Sequence, residues 1–149
     1  MIFVVDDHPL MRDAMTMVLG RLRPGEEILE FACLGELATG LLARGCPDAI
    51  FLDLNLPDAS GYSGVRQVRR QCPSVPLAVY SATPAAEAQH ECIEAGANLY
   101  IEKTVNSQGL AAALAHLLKA TQRPALAERT TDRQHAHWRP AQPWASSAA

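Results

Sequence analysis

The chain has 149 residues, 48% hydrophobic and 19% charged, enough for one domain with a full apolar core and hardly enough for two. A formal charge of −3 argues against a chain built to coat nucleic acid. The opening apolar run, "MIFVV", is too short for a signal-peptide core and meets acids at once, and no apolar span reaches the roughly 20 residues that cross a bilayer. A cytoplasmic protein with no membrane association is therefore expected.

The first predicted strand is "IFVV" (2–5), followed by Met11, Met15, Val18 and Leu22 at the spacing of one helix face. "EILEF" (27–31) reads as the second strand, and "LGELATGLLARG" (34–45) as a less regular helix. "AIFL" (49–52) is apolar at every position, as a strand covered on both sides requires. Val65, Val68 and Cys72 mark the third helix, and "PLAVY" (76–80) the fourth strand. In the fourth helix Thr83 is expected to be the N-cap with Pro84 at the first helical position, Ala88, Cys92 and Ala95 to form its apolar face, and Gly96 to end it. "NLYI" (98–101) and a helix carrying Leu110, Leu114 and Leu117 complete the pattern. Five strands alternating with five helices over short loops predict an α/β fold, a parallel sheet covered on both faces. From about residue 121 the composition changes: prolines at 124, 140 and 143 and few large apolar residues predict a disordered tail over 121–149. Residues 1–120 carry nine basic and fourteen acidic groups, whereas the tail is mildly basic.

Polar residues fall where four of the strands end. Asp6 and Asp7 follow the first, Asp53 the third, Ser81 the fourth, and Lys103 stands two beyond the fifth. Ligands of open α/β sheets bind outside the carboxyl ends of the strands, so in a 2-1-3-4-5 strand order these groups converge. Three adjacent carboxylates repel unless a cation sits among them, and Mg²⁺ (or Mn²⁺) suits oxygen ligands beside an open position. Beside such a cation Asp53 could attack a phosphoryl group, with Lys103 neutralising oxygen charge and Ser81 donating a hydrogen bond. His8 is expected to serve the loop, because neutral imidazole suits softer metals than Mg²⁺. Two histidines in "HAH" (135–137) leave a coordination shell unfilled. Cys33, Cys46, Cys72 and Cys92 lack any Cys-x-x-Cys pair and read as small apolar fillers in a reducing compartment, with no metal or disulfide framework. Neither Gly-x-Gly-x-x-Gly nor a Walker A loop occurs.

Together "VVDDHPLMRDAM", "IFLDLNLPDASG", "VYSAT" and "ANLYIEKT" resemble the receiver domain of two-component response regulators over about 1–119, and "DDHPL" resembles the NarL-type branch. The resemblance implies a flavodoxin-like, CheY-like (βα)5 sheet ordered 2-1-3-4-5. It implies Asp53 as phosphoacceptor; Asp6, Asp7, Asp53 and the Asn55 backbone carbonyl as metal ligands; Lys103 as the phosphate-pairing lysine; Ser81 as the switch hydroxyl; and Tyr100 as the aromatic that moves with it. Pro57–Gly61 matches the loop after the phosphoacceptor, and Asn55 and Thr83 hold the positions that tune dephosphorylation. Implied partners are a sensor histidine kinase or histidine phosphotransfer protein, a downstream protein at the surface of the fourth helix, fifth strand and fifth helix, and a second copy of the chain. The only chemistry implied is the chain's own phosphorylation and dephosphorylation. Two features depart from the pattern: Thr104 stands where many receivers have proline, and nothing in 120–149 could build the helix-turn-helix output of NarL-type proteins, so direct DNA binding is not expected. Two alternatives remain, a NarL-type transcription regulator that has lost its DNA-binding part and a phosphatase of the haloacid-dehalogenase type. The latter wants a second acid two positions after the nucleophile, where this chain has Asn55.

Overall fold

A computed structural model describes residues 1–120; the tail expected over 121–149, with His135, His137, Trp138 and Trp144, lies outside the described residues. The elements run β1 (Ile2–Val5), α1 (Pro9–Leu22), β2 (Ile28–Phe31), α2 (Leu34–Arg44), β3 (Ala49–Leu52), α3 (Ser63–Gln71), β4 (Leu77–Ser81), α4 (Ala85–Ala95), β5 (Leu99–Glu102) and α5 (Ser107–Ala120). All neighbouring strands are parallel, in the order β2-β1-β3-β4-β5, the flavodoxin-like arrangement expected of the sequence.

Strand side chains alternate between two cores because their period is two. Phe3, Val5, Ile50, Leu52, Leu77 and Val79 pack with Leu37, Val65, Val68 and Cys92 from α2, α3 and α4. Ile2, Val4, Ala49, Phe51 and Ala78 pack with Met15 and Leu19 of α1 and Leu110, Leu114 and Leu117 of α5. Such burial stabilises the fold by roughly 1.5–3 kcal/mol for each large side chain. The irregular pattern of α2 has a cause at Gly40, where a Cβ would come within 2.5 Å of the Phe31 ring. That ring in turn meets Phe3 edge-on, centroids 4.9 Å apart.

Register delivers the site. Val5 pairs with Leu52 and Leu52 with Val79, so Asp6 and Asp53 leave adjacent strands side by side. Ser81 pairs with Glu102, and Lys103 follows immediately.

Two expectations are corrected. The N-cap of α4 is Pro84 itself, with an extended ψ of 141°, and the helix begins one residue later than expected. Thr83 is drawn away because its backbone N–H donates to Ser81 Oγ at 3.2 Å, while the first-turn N–H of Ala85 is capped by Glu102 Oε1 at 2.5 Å. Gly96 does end the helix, at φ 120°. The cysteines are not all fillers either. Cys46, in the loop before β3, is bridged to Cys72 at the end of α3, with Cα atoms 6.0 Å apart, whereas Cys33 and Cys92 are free. The crossover returns the end of α3 beside the loop that enters β3, a juxtaposition that spacing in sequence does not announce. Among the described residues no peptide bond is cis, so Lys103–Thr104 is trans. No helix among them is long and apolar enough to cross a membrane.

Candidate functional site

The site stands on the carboxyl edge of β1, β3, β4 and β5. Backbone bonds continue the ladder just far enough to fix its acids: Asp6 N–H donates to Phe31 O at 3.0 Å and Asp53 N–H to Val5 O at 2.8 Å. Lys103 N–H donates to Ser81 O at 2.7 Å, which aims its side chain back across the sheet end. Lys103 Nζ lies 2.8 Å from Asp6 Oδ2 and 3.1 Å from Asp53 Oδ2, beside the Tyr80 ring at 5.6 Å. The stem of the lysine thus spans the width of β4, as its length allows.

Asp53 is held but not satisfied. Its Oδ1 accepts the Asn55 N–H at 3.2 Å. Its Oδ2 is buried and is the one buried side-chain oxygen among the described residues that accepts no hydrogen bond, the neighbouring Lys103 pairing with it by charge without hydrogen-bond alignment. Burial, reinforced by the charge of Asp6 and only partly countered by Lys103, pushes the Asp53 carboxyl above its ordinary range. Burial would push Asp6 upward too, but hydrogen bonds from Lys103 and His8 override it and hold that carboxyl below its ordinary range. Lys103 is held above its usual value: burial opposes this, and the bond to Asp6 and the charge of Asp53 outweigh it.

Ser81 is fully buried, and its hydroxyl faces Thr83 Oγ1 at 3.4 Å. The buried Tyr100 donates from its hydroxyl to the Thr83 carbonyl at 2.7 Å, tying β5 to the segment that follows β4. Asp58, in the loop after β3, accepts the N–H groups of Leu34 and Gly35 at 3.0 and 2.9 Å and so fastens that loop to the start of α2.

Asp6, Asp7, Asp53, Ser81 and Lys103, singled out from sequence, lie along this edge. One that the sequence reading assigned to the loop belongs with them. His8 Nδ1 lies 2.9 Å from Asp6 Oδ1, 2.9 Å from Asp7 Oδ1 and 3.9 Å from Asp53 Oδ2, so the ring is turned into the acids rather than away from them. Its direction is set by an Asx-type turn in which the His8 N–H donates to Asp6 Oδ1 at 2.9 Å. Arg12, also unremarked in the sequence, fixes the Asp6 carbonyl through Nη1 at 2.6 Å. Three carboxylates and one imidazole, with an unsatisfied buried oxygen among them, are a donor set suited to a divalent cation.

Residues 2–115 match the model of the response regulator receiver domain. The chain belongs to that family. It is 33% identical over 113 residues to the nitrate/nitrite response regulator protein NarP of Escherichia coli (strain K12), covering 76% of this chain and 52% of NarP. It is 32% identical over 102 residues to a protein-glutamate methylesterase/protein-glutamine glutaminase of Anaeromyxobacter dehalogenans (strain 2CP-C), covering 68% of this chain and 29% of that one. The receiver domain therefore spans about half or less of these relatives. Among solved structures, the receiver domain of NtrX from Brucella abortus superposes with a TM-score of 0.71 at 25% identity, over 80% of this chain and 98% of that domain. Receiver membership places the protein in two-component signalling and sets aside the phosphatase alternative.

Proposed function

We propose that Asp53 is the phosphoacceptor of a two-component relay. A phosphohistidine on a sensor histidine kinase or a histidine phosphotransfer protein supplies the phosphoryl group. One Asp53 oxygen forms the new P–O bond as the P–N bond breaks, and the imidazole leaves with the bonding electrons. The observation that carries this reading is Asp53 Oδ2, buried, unsatisfied by any hydrogen bond, and 3.1 Å from the Lys103 ammonium. A carboxylate in that condition is poised to gain a partner.

Asp6, Asp7, Asp53 and the Asn55 backbone carbonyl would hold Mg²⁺ or Mn²⁺, which when bound supplies the charge that screens the acids and the transferring oxygens. Lys103 pairs with the phosphoryl oxygens once they arrive, and the Ser81 hydroxyl leaves Thr83 to donate to one of them. Tyr100, bonded to the Thr83 carbonyl, passes that displacement to β5 and so to the surface of α4, β5 and α5, where a downstream protein or a second copy docks. The reaction is the chain's own gain and loss of phosphate. The "DDHPL" stretch and the likeness to NarP favour the NarL-type branch. Relatives as different as a regulator and a methylesterase share the domain, so the output is assigned here only as protein binding, without direct DNA contact, in the cytoplasm.

Intact mass after incubation with Mg²⁺ and acetyl phosphate tests the reading. One added phosphoryl group, absent from Asp53→Asn and from a chelated sample, is expected. Addition that survives in Asp53→Asn would move the acceptor elsewhere.

A further inference from the structure

The position of His8 bears on which ion the acidic pocket takes. The sequence DDH places an imidazole next to two acids, and the turn after β1 brings Nδ1 to 2.9 Å from one oxygen of each. A single ring nitrogen carries at most one proton, so it can serve both carboxylate oxygens only through a shared, bifurcated hydrogen bond. Adjacent ligands of an octahedral ion with bonds of about 2.1 Å stand about 3 Å apart, and the two nitrogen–oxygen separations match that edge. The nitrogen, both acids and Asp53 all present ligand atoms within 4.8 Å of one another. Within this cluster Asp53 Oδ2 is buried, is paired by charge with Lys103 at 3.1 Å without hydrogen-bond alignment, and lies 3.9 Å from the same nitrogen.

The ring is also free to serve. It is 61% exposed and gives α1 no side-chain cap; Nδ1 carries its contacts to the acids, while the His8 backbone donates to Asp6 and accepts the N–H groups of Met11 and Arg12. The opposite nitrogen, Nε2, can remain in solvent while Nδ1 faces the acids.

We propose that His8 is a nitrogen ligand of the divalent cation bound by Asp6, Asp7 and Asp53, and that it shifts the preference of the pocket from Mg²⁺ toward Mn²⁺ and the later first-row divalent transition ions. Oxygen-only sites suit Mg²⁺, whereas imidazole adds affinity for transition ions and little for Mg²⁺. The inference rests on the metal-binding part of the proposed function. It adds a residue and a selectivity to it.

The test uses the full 149-residue chain with Mn²⁺ as probe, read by pulsed electron paramagnetic resonance and by competition with Mg²⁺. Wild type is expected to show nitrogen hyperfine coupling to bound Mn²⁺ that disappears in His8→Ala and in His8→Gln. The Mn²⁺ dissociation constant should rise about tenfold in both variants while that of Mg²⁺ moves less than about twofold. Asp7→Asn separates this pocket from any ion held by other histidines, since it weakens the one and leaves the other. Binding of Mn²⁺ without nitrogen coupling, or with coupling that persists in His8→Ala, would overturn the role of His8 and leave the phosphoacceptor reading standing. No binding of either ion at the acids would overturn both.

Discussion

At the scale of single residues the pocket is an arrangement of charges under tension. Asp53 is buried beside the charge of Asp6, and its carboxyl is raised. Between the ordinary carboxylate value of 3.8 and that raised value, the folded protein keeps a proton that the unfolded chain has released, so stability falls as pH rises through this window. Asp6 runs the other way: its lowered carboxyl contributes stability that is present above 3.8 and lost as pH falls through the folded value. Asp53→Asn removes the first cost and keeps the second contribution. In metal-free buffer at neutral pH the variant should melt higher than wild type, by about 4 °C if the relief is about 1 kcal/mol. Adding Mg²⁺ should narrow the gap, because the ion stabilises wild type by mass action more than the variant. Melting curves with and without chelator measure this, and a lower metal-free melting point for Asp53→Asn would refute it. The five charged and hydroxyl groups were legible in sequence because each follows an apolar strand. The direction of the His8 ring was not, because it depends on the hydrogen bond from its own N–H to Asp6, which only the folded turn makes.

At the scale of elements, hydrophobic period identified every strand and helix, and the misjudged details lie where side chains of distant elements meet. The start of α4 shifted because Glu102 on β5 caps Ala85 and Ser81 on β4 holds Thr83. A larger case is Arg69 of α3. Its guanidinium donates to Gly96 O at 2.9 and 2.7 Å, to Pro73 O at 2.9 Å, to Val75 O at 2.8 Å and to Asn98 Oδ1 at 3.0 Å. One side chain therefore joins the ends of α3 and α4 to the start of β4, and Asn98 extends the join by accepting the Leu77 N–H at 2.9 Å. In the sequence Arg69 is one of three arginines within five residues, and nothing local distinguishes it from its solvated neighbours. Arg69→Ala strands several partly buried carbonyls and should cost about 2 kcal/mol, while Arg66→Ala, on the exposed side of the same helix, should cost less than about 0.5 kcal/mol. Urea titrations of the two variants decide it; equal midpoints would show that water replaces the guanidinium without penalty.

At the scale of the whole molecule the sheet has two ends with different work. The carboxyl end carries the acids, and the amino end carries the Cys46–Cys72 bridge. The bridge joins the entry of β3 to the exit of α3, so it brackets the unit that presents Asp53 at its far end. It closes a loop 26 residues apart in sequence, and restricting an unfolded chain over that length stabilises the fold by about 3.5 kcal/mol in the chain-entropy account. Reduction should therefore lower the unfolding free energy extrapolated from urea titrations by that amount, and Cys46→Ser should melt like the reduced protein and ignore the reductant. Phosphoryl uptake by Asp53 should be the same in both redox states, because the four residues of β3 set the two ends roughly 13 Å apart and both cores between them are closely packed. Coincident unfolding curves with and without reductant would mean that the unfolded chain already holds these cysteines near each other. A change in uptake at constant stability would mean that the two ends of the sheet are mechanically coupled through β3.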